Sequence, residues 1–292
     1  MKFDLTILTP TYNRAYILPQ LYNSLCRQTN QQFIWLIVDD GSSDITCQLV
    51  NEWRTENLIT IKYIYQANGG KHRAHNIGVK SADTELIMIC DSDDYLVDDA
   101  VEKVLLCWAK EKNEKIGGII AYRGQYVNNH LQKSKNQEFV IKEKISKVNK
   151  IFKVQQIVET TNIYRKDVLL ENLFPEIDGE KFFPEIYVWL KIDMKYDVII
   201  LREILEIYEY LEDGYTKSNK GVSWITNCPT AYAMLFYLKF EMSHNIINKV
   251  IEYGKCRGLY YLYHKKEIPH KNIWWDIISF PVSIIAMKKY RS

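Results

Sequence analysis

Glu85-Leu86-Ile87-Met88-Ile89-Cys90-Asp91-Ser92-Asp93-Asp94 is an apolar run that breaks abruptly into three aspartates. A short continuous apolar run bounded by polar residues predicts a central strand of a parallel sheet, and ligands gather at the carboxyl ends of such strands. Asp91 and Asp93 then share one rim, where two carboxylates suit a hard divalent cation that can in turn hold phosphate oxygens. The spacing alone carries little weight. With 16 aspartates in 292 residues, an Asp-x-Asp arises about once by chance, so its neighbours decide.

Upstream, three segments repeat the pattern. Thr6 to Asn13 opens as an apolar strand and turns at a Pro/Thr/Asn cluster, and a helix begins near Leu18 because Pro19 is tolerated only in a first turn; Leu18, Leu21 and Leu25 form its apolar face. Phe33 to Val38 runs into Asp39-Asp40-Gly41-Ser42-Ser43-Asp44, with glycine for a tight turn and Asp44 suited to cap a helix carrying Leu49, Val50 and Trp53. Ile59 to Tyr65 alternates, which predicts a strand buried less completely. It leads into Asn68-Gly69-Gly70-Lys71-His72-Arg73-Ala74-His75-Asn76, two glycines before potential cations at a helix start, an arrangement that offers N–H groups and a positive dipole end to an anion. Downstream, Asp98 to Glu111 reads as a helix and Gly117 to Tyr122 as a fifth strand. Such βα alternation implies right-handed crossovers and a largely parallel sheet, with the polar loops on one edge.

Asn128 to Lys150 is polar and lysine-rich, the composition of a surface excursion. Thr160 to Arg165 and Asp197 to Leu201 read as strands and Pro184 to Ile192 as a helix. Glu206 to Leu211 is a tyrosine-rich strand entering the acidic turn Glu212-Asp213. The chain turns helical from Pro229, and the expected division is 1–215 and 216–292.

The last apolar stretch, Ile273 to Met287, is broken by Asp276 and Pro281 and is too short for the roughly 20 residues that span a bilayer. Lys265, Lys266, His270 and Lys271 precede it; Lys288, Lys289 and Arg291 follow it. Two expectations stand: a helix lying on an anionic membrane surface, or one docked on the core.

Hydrophobic content of 47% with 13% aromatics excludes a disordered chain, and a net charge of +2 gives no global reason to expect nucleic acid. The amino terminus lacks the pattern of a signal peptide, so a cytoplasmic protein is expected. The six cysteines form no Cys-x-x-Cys pair, which points to reduced thiols rather than disulfides or zinc.

Thr-Pro-Thr-Tyr-Asn-Arg (9–14), Val-Asp-Asp-Gly-Ser-Ser-Asp (38–44), Asn-Gly-Gly-Lys-His (68–72) and Asp-Ser-Asp-Asp (91–94) together resemble the family 2 glycosyltransferases of GT-A fold. The resemblance is strong over residues 3–125 and looser to about 215. It implies an α/β, Rossmann-like, mainly parallel sheet flanked by helices, with a helical C-terminal extension. It further implies inverting transfer of a sugar from a nucleotide donor, most often a UDP-sugar, to an acceptor hydroxyl, with Mg²⁺ or Mn²⁺ on the diphosphate. By that resemblance Asp93 holds the metal, Asp91 meets the ribose or the metal, and Asp40 or Asp39 accepts from the base in a pocket lined by Thr9, Thr11 and Tyr12. Lys71 and Arg73 face phosphate or base, and Asn76 belongs to the donor site. Many relatives carry Ala-Arg-Asn where this chain has Ala74-His75-Asn76, so the arginine's role passes to Arg73 or Lys71; His75 either meets the donor or packs.

An inverting transfer needs a base near the attacking hydroxyl, and a carboxylate is usual. Glu185 and Glu180 are the candidates, with Pro184 fixing Glu185 at a helix start. The expected activity is addition of one sugar to a lipid-linked or polymeric glycan acceptor in cell-surface polysaccharide assembly, at the inner face of the membrane. The alternatives are a catalytically silent nucleotide-sugar-binding partner and a sugar nucleotidyltransferase; the latter lacks its Gly-rich loop after the first strand.

Overall fold

The computed structural model describes residues 3–133, 143–147, 160–209, 221–263 and 272–291, so the acidic turn at Glu212-Asp213 and the basic segment from Lys265 to Lys271 lie outside the described residues. The chain forms two compact units, Met1–Leu173 with Lys191–Gly214, and Phe174–Leu190 with Tyr215–Ser292. Residues 174–190, and with them Glu180 and Glu185, therefore belong with the carboxyl-terminal helices.

The first unit is built on one sheet. Strands β1 (Leu5–Thr11), β2 (Phe33–Asp39), β3 (Ile61–Tyr65) and β4 (Leu86–Ile89) are mutually parallel in the order β3-β2-β1-β4. Every residue of β1 and β2 is buried, as continuous apolar strands covered on both faces require, whereas β3 at the edge is only part-buried. Helices α1 (Leu18–Cys26), α2 (Thr46–Glu56), α3 (Lys71–Ser81) and α4 (Ala100–Glu111) follow β1, β2, β3 and the aspartate loop in the chain. Leu18, Leu21 and Leu25 of α1 are wholly buried, each such side chain contributing about 1.5–3 kcal/mol. Tyr22 stacks on Trp53 at 4.3 Å between ring centroids, and Trp53 on Trp35 at 5.7 Å, locking α1 and α2 onto β2.

Beyond β4 the sheet becomes mixed. After β5 (Asp94–Leu96) and β6 (Ile116–Val127), with the short margin strands β7 (His130–Lys133) and β8 (Ile145–Ser146), the chain returns as β9 (Thr160–Arg165), antiparallel between β4 and β6. β10 (Asp197–Tyr208) then runs parallel to β6, and β5 pairs antiparallel with its end. The two strand segments predicted within 197–211 are thus one strand, irregular between Leu201 and Ile204. The reversal at β9 depends on Gly118: a Cβ there would lie 2.1 Å from the Ile163 carbonyl oxygen and 2.8 Å from Tyr164 Cα. Short helix α5 (Lys166–Glu171) follows β9, and α6 (Ile186–Lys195) carries the chain across the boundary between the units.

The second unit contains α7 (Gly221–Asn227), α8 (Pro229–Met242), α9 (Ile246–Tyr263) and α10 (Ile273–Tyr290), the expected helical extension. Helices α9 and α10 approach closely through small residues: a Cβ on Gly254 would stand 2.6 Å from Val282 Cβ, and one on Gly258 2.7 Å from Ala286 Cβ.

Gly118→Ala is expected to lower stability by about 1–3 kcal/mol or more, since backbone rather than a flexible side chain must yield. Urea denaturation checks it, with Gly179→Ala as the contrast: its Cβ would meet nothing within 4 Å, and only its φ of +79° resists.

Candidate active site

Four loops leave the carboxyl ends of β1, β2, β3 and β4. The strand ends are level, with Thr11 opposite Asp39 and Asp39 opposite Tyr65, while β4 stops at Ile89 opposite Leu8. The aspartate loop accordingly emerges beside Thr9 to Thr11.

Polar cross-links hold the loops together. Asn13, in left-handed conformation with φ 52°, accepts from Ser43 N at 2.8 Å and donates its own N–H to Ser42 Oγ at 2.8 Å. Asp44 accepts from Ala15 N at 3.0 Å and Thr46 N at 3.0 Å but is not the expected cap of α2: it stands two residues ahead of the helix, whose N-cap position is held by Ile45. Asp39 is fully buried and accepts from Ser42 N at 2.7 Å and Tyr63 OH at 2.6 Å. Asp40 reaches across to the third loop. Its carboxylate accepts from Gly69 N and Gly70 N, both at 2.8 Å, from Gln66 Nε2 at 2.5 Å and from Asn68 Nδ2 at 3.2 Å. A carboxylate has about four acceptor positions, and Asp40 spends these bonds on building the third loop, while Asp39 spends two on the wall of the rim. Gly41 (φ 86°) permits this closeness, since a Cβ there would sit 2.7 Å from Asn68 N.

Thr9 also departs from expectation. It is wholly buried and accepts from the Trp35 indole N–H at 3.0 Å, facing the core instead of a ligand. Thr11 Oγ1, by contrast, is buried and meets no hydrogen-bond partner among the described residues, and Tyr12 beside it is exposed.

The third and fourth loops meet in an ion pair, Lys71 Nζ to Asp91 Oδ1 at 2.7 Å. Burial pushes the Asp91 carboxyl up, but Lys71 and Arg123 outweigh it and leave it below the usual range. Asp93 has the opposite balance: burial and the Asp91 charge raise it, only partly offset by Arg14 and Lys71. Carboxylate oxygens of Asp91, Asp93 and Asp94 lie within 4.8 Å of one another. All three donors are hard oxygens, and the raised Asp93 carboxyl marks a place short of positive charge, so the donor set fits a divalent cation. Arg73 is part-buried and Asn76 buried on α3. Buried beside them, His75 is pushed down to about 3 by burial and by Lys71, so it is a neutral imidazole at physiological pH.

Asp94 is bound into the sheet. It opens β5, is buried, and forms an ion pair with Arg123 on β6, which also pairs with buried Glu206 on β10 at 3.0 Å. Glu206 is pushed up to about 7 by burial and by Asp91, against the pull of Arg123. Neither Arg123 nor Glu206 stands out by motif; the available signal was an arginine and a glutamate of opposite sign inside two strands.

Of the two candidate bases, Glu180 is committed elsewhere. It is buried and accepts from Thr230 N at 2.8 Å and Ala231 N at 2.9 Å, capping the first turn of α8 behind Pro229. Glu185 stands directly before α6, part-buried, its carbonyl accepting from Val188 N at 3.0 Å.

The model of glycosyl transferase family 2 matches residues 6–173, more than half of the chain. The chain belongs to that family. Among curated relatives, it is 34% identical over 98 residues to the poly(ribitol-phosphate) beta-N-acetylglucosaminyltransferase TarS of Staphylococcus aureus, covering 33% of this chain and 17% of that protein. It is 34% identical over 92 residues to the undecaprenyl-phosphate 4-deoxy-4-formamido-L-arabinose transferase of Proteus mirabilis, covering 30% of this chain and 28% of that one. The aligned part is thus a minor fraction of either relative. A crystal structure of S. aureus TarS 1–349 in complex with UDP-GlcNAc has the same fold, with TM-score 0.65 at 17% identity over 99% of this chain and 82% of that one. So has the mannosyltransferase PcManGT of Pyrobaculum calidifontis in complex with GDP-Man and Mn²⁺, with TM-score 0.57 at 14% identity over 100% and 83%.

His75 and Glu206 predict opposing pH dependences of stability. For His75 the unfolded chain binds a proton near pH 6.5 that the fold refuses until about 3, so stability rises with pH across that window. For Glu206 the fold holds a proton up to about 7 that the unfolded chain releases near 4.5, so stability falls as pH rises. Between pH 4.5 and 6.5 the two oppose, each with a slope of up to about 1.4 kcal/mol per pH unit. Urea midpoints of Glu206→Gln should gain an upward slope in this window, and those of His75→Asn a downward one.

Proposed function

We propose that the chain is an inverting, metal-dependent glycosyltransferase that moves one sugar from a UDP-sugar to a hydroxyl of a lipid-linked or polymeric glycan acceptor, in cell-surface polysaccharide assembly. The observation that carries this reading is the junction of the third and fourth loops: Lys71 paired with Asp91, and the carboxylate oxygens of Asp91, Asp93 and Asp94 gathered within 4.8 Å of one another. TarS, similar to this chain in sequence over 98 residues and in fold, is named for N-acetylglucosaminyl transfer and crystallises with UDP-GlcNAc, which supports a UDP-sugar donor.

In this proposal Asp93, with Asp91, holds Mg²⁺ or Mn²⁺, whose charge would stabilise the departing diphosphate. Lys71, Arg73 and the N-terminal end of α3 face phosphate oxygens. Asn76, buried on the same helix, keeps its place in the donor site. Thr11, with its unpartnered hydroxyl, and exposed Tyr12 line the nucleoside side, while Asp39 and Asp40 fix the wall behind them. The acceptor oxygen attacks the anomeric carbon opposite the diphosphate; the new C–O bond forms as the sugar–phosphate bond breaks, and the hydroxyl proton passes to Glu185. Glu185 is preferred to Glu180 because the latter's carboxylate already serves the start of α8. Lipid-linked acceptors place this work at the inner, anionic face of a membrane; no described helix is long and apolar enough to cross one.

The wild-type protein should release UDP from a suitable UDP-sugar in the presence of Mg²⁺ or Mn²⁺, and Asp93→Ala should lower that release by at least about 100-fold. Glu185→Gln should keep its affinity for UDP, read by calorimetry, and lose transfer by about 100-fold or more. Full transfer by Glu185→Gln removes it from the role of base. UDP binding with no release from any of a UDP-sugar panel favours the silent partner.

A further inference from the structure

Helix α10 packs on the protein along one side, with Trp275 and Tyr290 toward its ends and small residues between them, while a second row of large apolar residues faces outward. Ser279, Ser283 and Ala286 are buried against the Gly254 and Gly258 side of α9. Its one acid, Asp276, also turns inward, paired with Arg257 at 2.8 Å and accepting from Tyr253 OH at 2.9 Å. Trp275 packs edge-on to Phe240 at 5.1 Å between ring centroids, but the other tryptophan and the phenylalanine of the helix stay outside that core. Here Ile273, Trp274, Ile277, Ile278, Phe280 and Ile285 are each more than half exposed. At about 100° per residue they occupy roughly half the circumference of the helix.

The outward face has a defined complement. It contains no acid, and toward its end the exposed Lys288 and Lys289 continue it, with Arg291 just beyond. From Ile273 to Ile285 is about 18 Å, well short of the roughly 30 Å hydrocarbon core of a bilayer. An apolar strip with a tryptophan at one end and cations at the other matches the boundary layer of an anionic bilayer, where rings and aliphatic chains enter the acyl region and lysines meet headgroup phosphates. A second copy would bring the same cations and no acid to pair with them.

We infer that the outward face of α10 is an in-plane membrane-binding surface, lying flat in the headgroup region of an anionic leaflet. This rests on the proposed work at a membrane face and narrows it to one side of one helix. Asp276, part-buried and turned toward its partner Arg257, is what leaves that side free of negative charge.

Flotation of the full chain with vesicles tests it. Binding to phosphatidylcholine vesicles containing phosphatidylglycerol should exceed binding to phosphatidylcholine alone, and Trp274 emission should shift to the blue on binding. The double variant Trp274→Ser/Phe280→Ser should lose most binding to either vesicle. Lys288→Glu/Lys289→Glu should lose the preference for the anionic lipid, by about fivefold or more for each lysine. Both variants should keep the circular dichroism of the wild type and its UDP release in detergent-free solution, so a loss of binding is not a loss of fold. Equal flotation of wild type and both variants overturns the inference. So does a self-association, seen by sedimentation without vesicles and abolished by Trp274→Ser/Phe280→Ser, since the face is then covered by another copy. Anionic-vesicle binding without UDP release from any donor leaves this inference standing and overturns the proposed enzymatic reading instead.

Discussion

The Asp40 carboxylate, clasped by the N–H groups of Gly69 and Gly70, is the contact on which the rim of the first unit depends. Charge-assisted bonds to backbone N–H groups are among the stronger hydrogen bonds a protein makes, and these two lie out of water. They tie the end of β2 to the start of α3 across 29 and 30 residues of chain. Lys71, the next residue, is thereby delivered to Asp91. A single buried anion thus translates the level ends of parallel strands into a fixed spacing between a cation and an acidic loop.

A second layer of charge stands behind the aspartate loop. Arg123 lies between Asp94 and Glu206, and removing it would leave two buried carboxylates facing each other without a cation, a change that typically costs several kcal/mol. The three residues come from β5, β6 and β10, so the half of the sheet that breaks the parallel pattern holds the aspartate loop from behind. The mixed strands and the acidic site are one construction: β5 begins at the last aspartate of the motif and finds its partner only because β10 extends past the end of the apolar run.

What could be read from the chain follows the physics of burial. The four parallel strands and the faces of α1 and α2 were legible because continuous apolar runs and Leu18, Leu21 and Leu25 at helical spacing have few other ways to be buried. The loops were legible as a set because Gly, Asn and Asp clusters after each run leave little freedom. What escaped was decided by distant partners. Three residues, Asp94 to Leu96, have no periodicity of their own and become a strand only against β10. Thr9 has the chemistry of a ligand contact, and its neighbour across the sheet, Trp35, turned it to the core. Glu180 looks like a free acid until the start of α8, some fifty residues later, claims both its oxygens.

Gly41 carries a consequence for how this rim can vary. Its left-handed φ and the 2.7 Å that would separate a Cβ from Asn68 N leave no room for a methyl group between the second and third loops. A side chain there would push Asn68, Gly69 and Gly70 outward as a block while leaving the apolar sheet beneath untouched. The site would lose its calibration before the protein lost its fold: glycine at this position acts as a spacer gauge, setting how far the lysine stands from the aspartates.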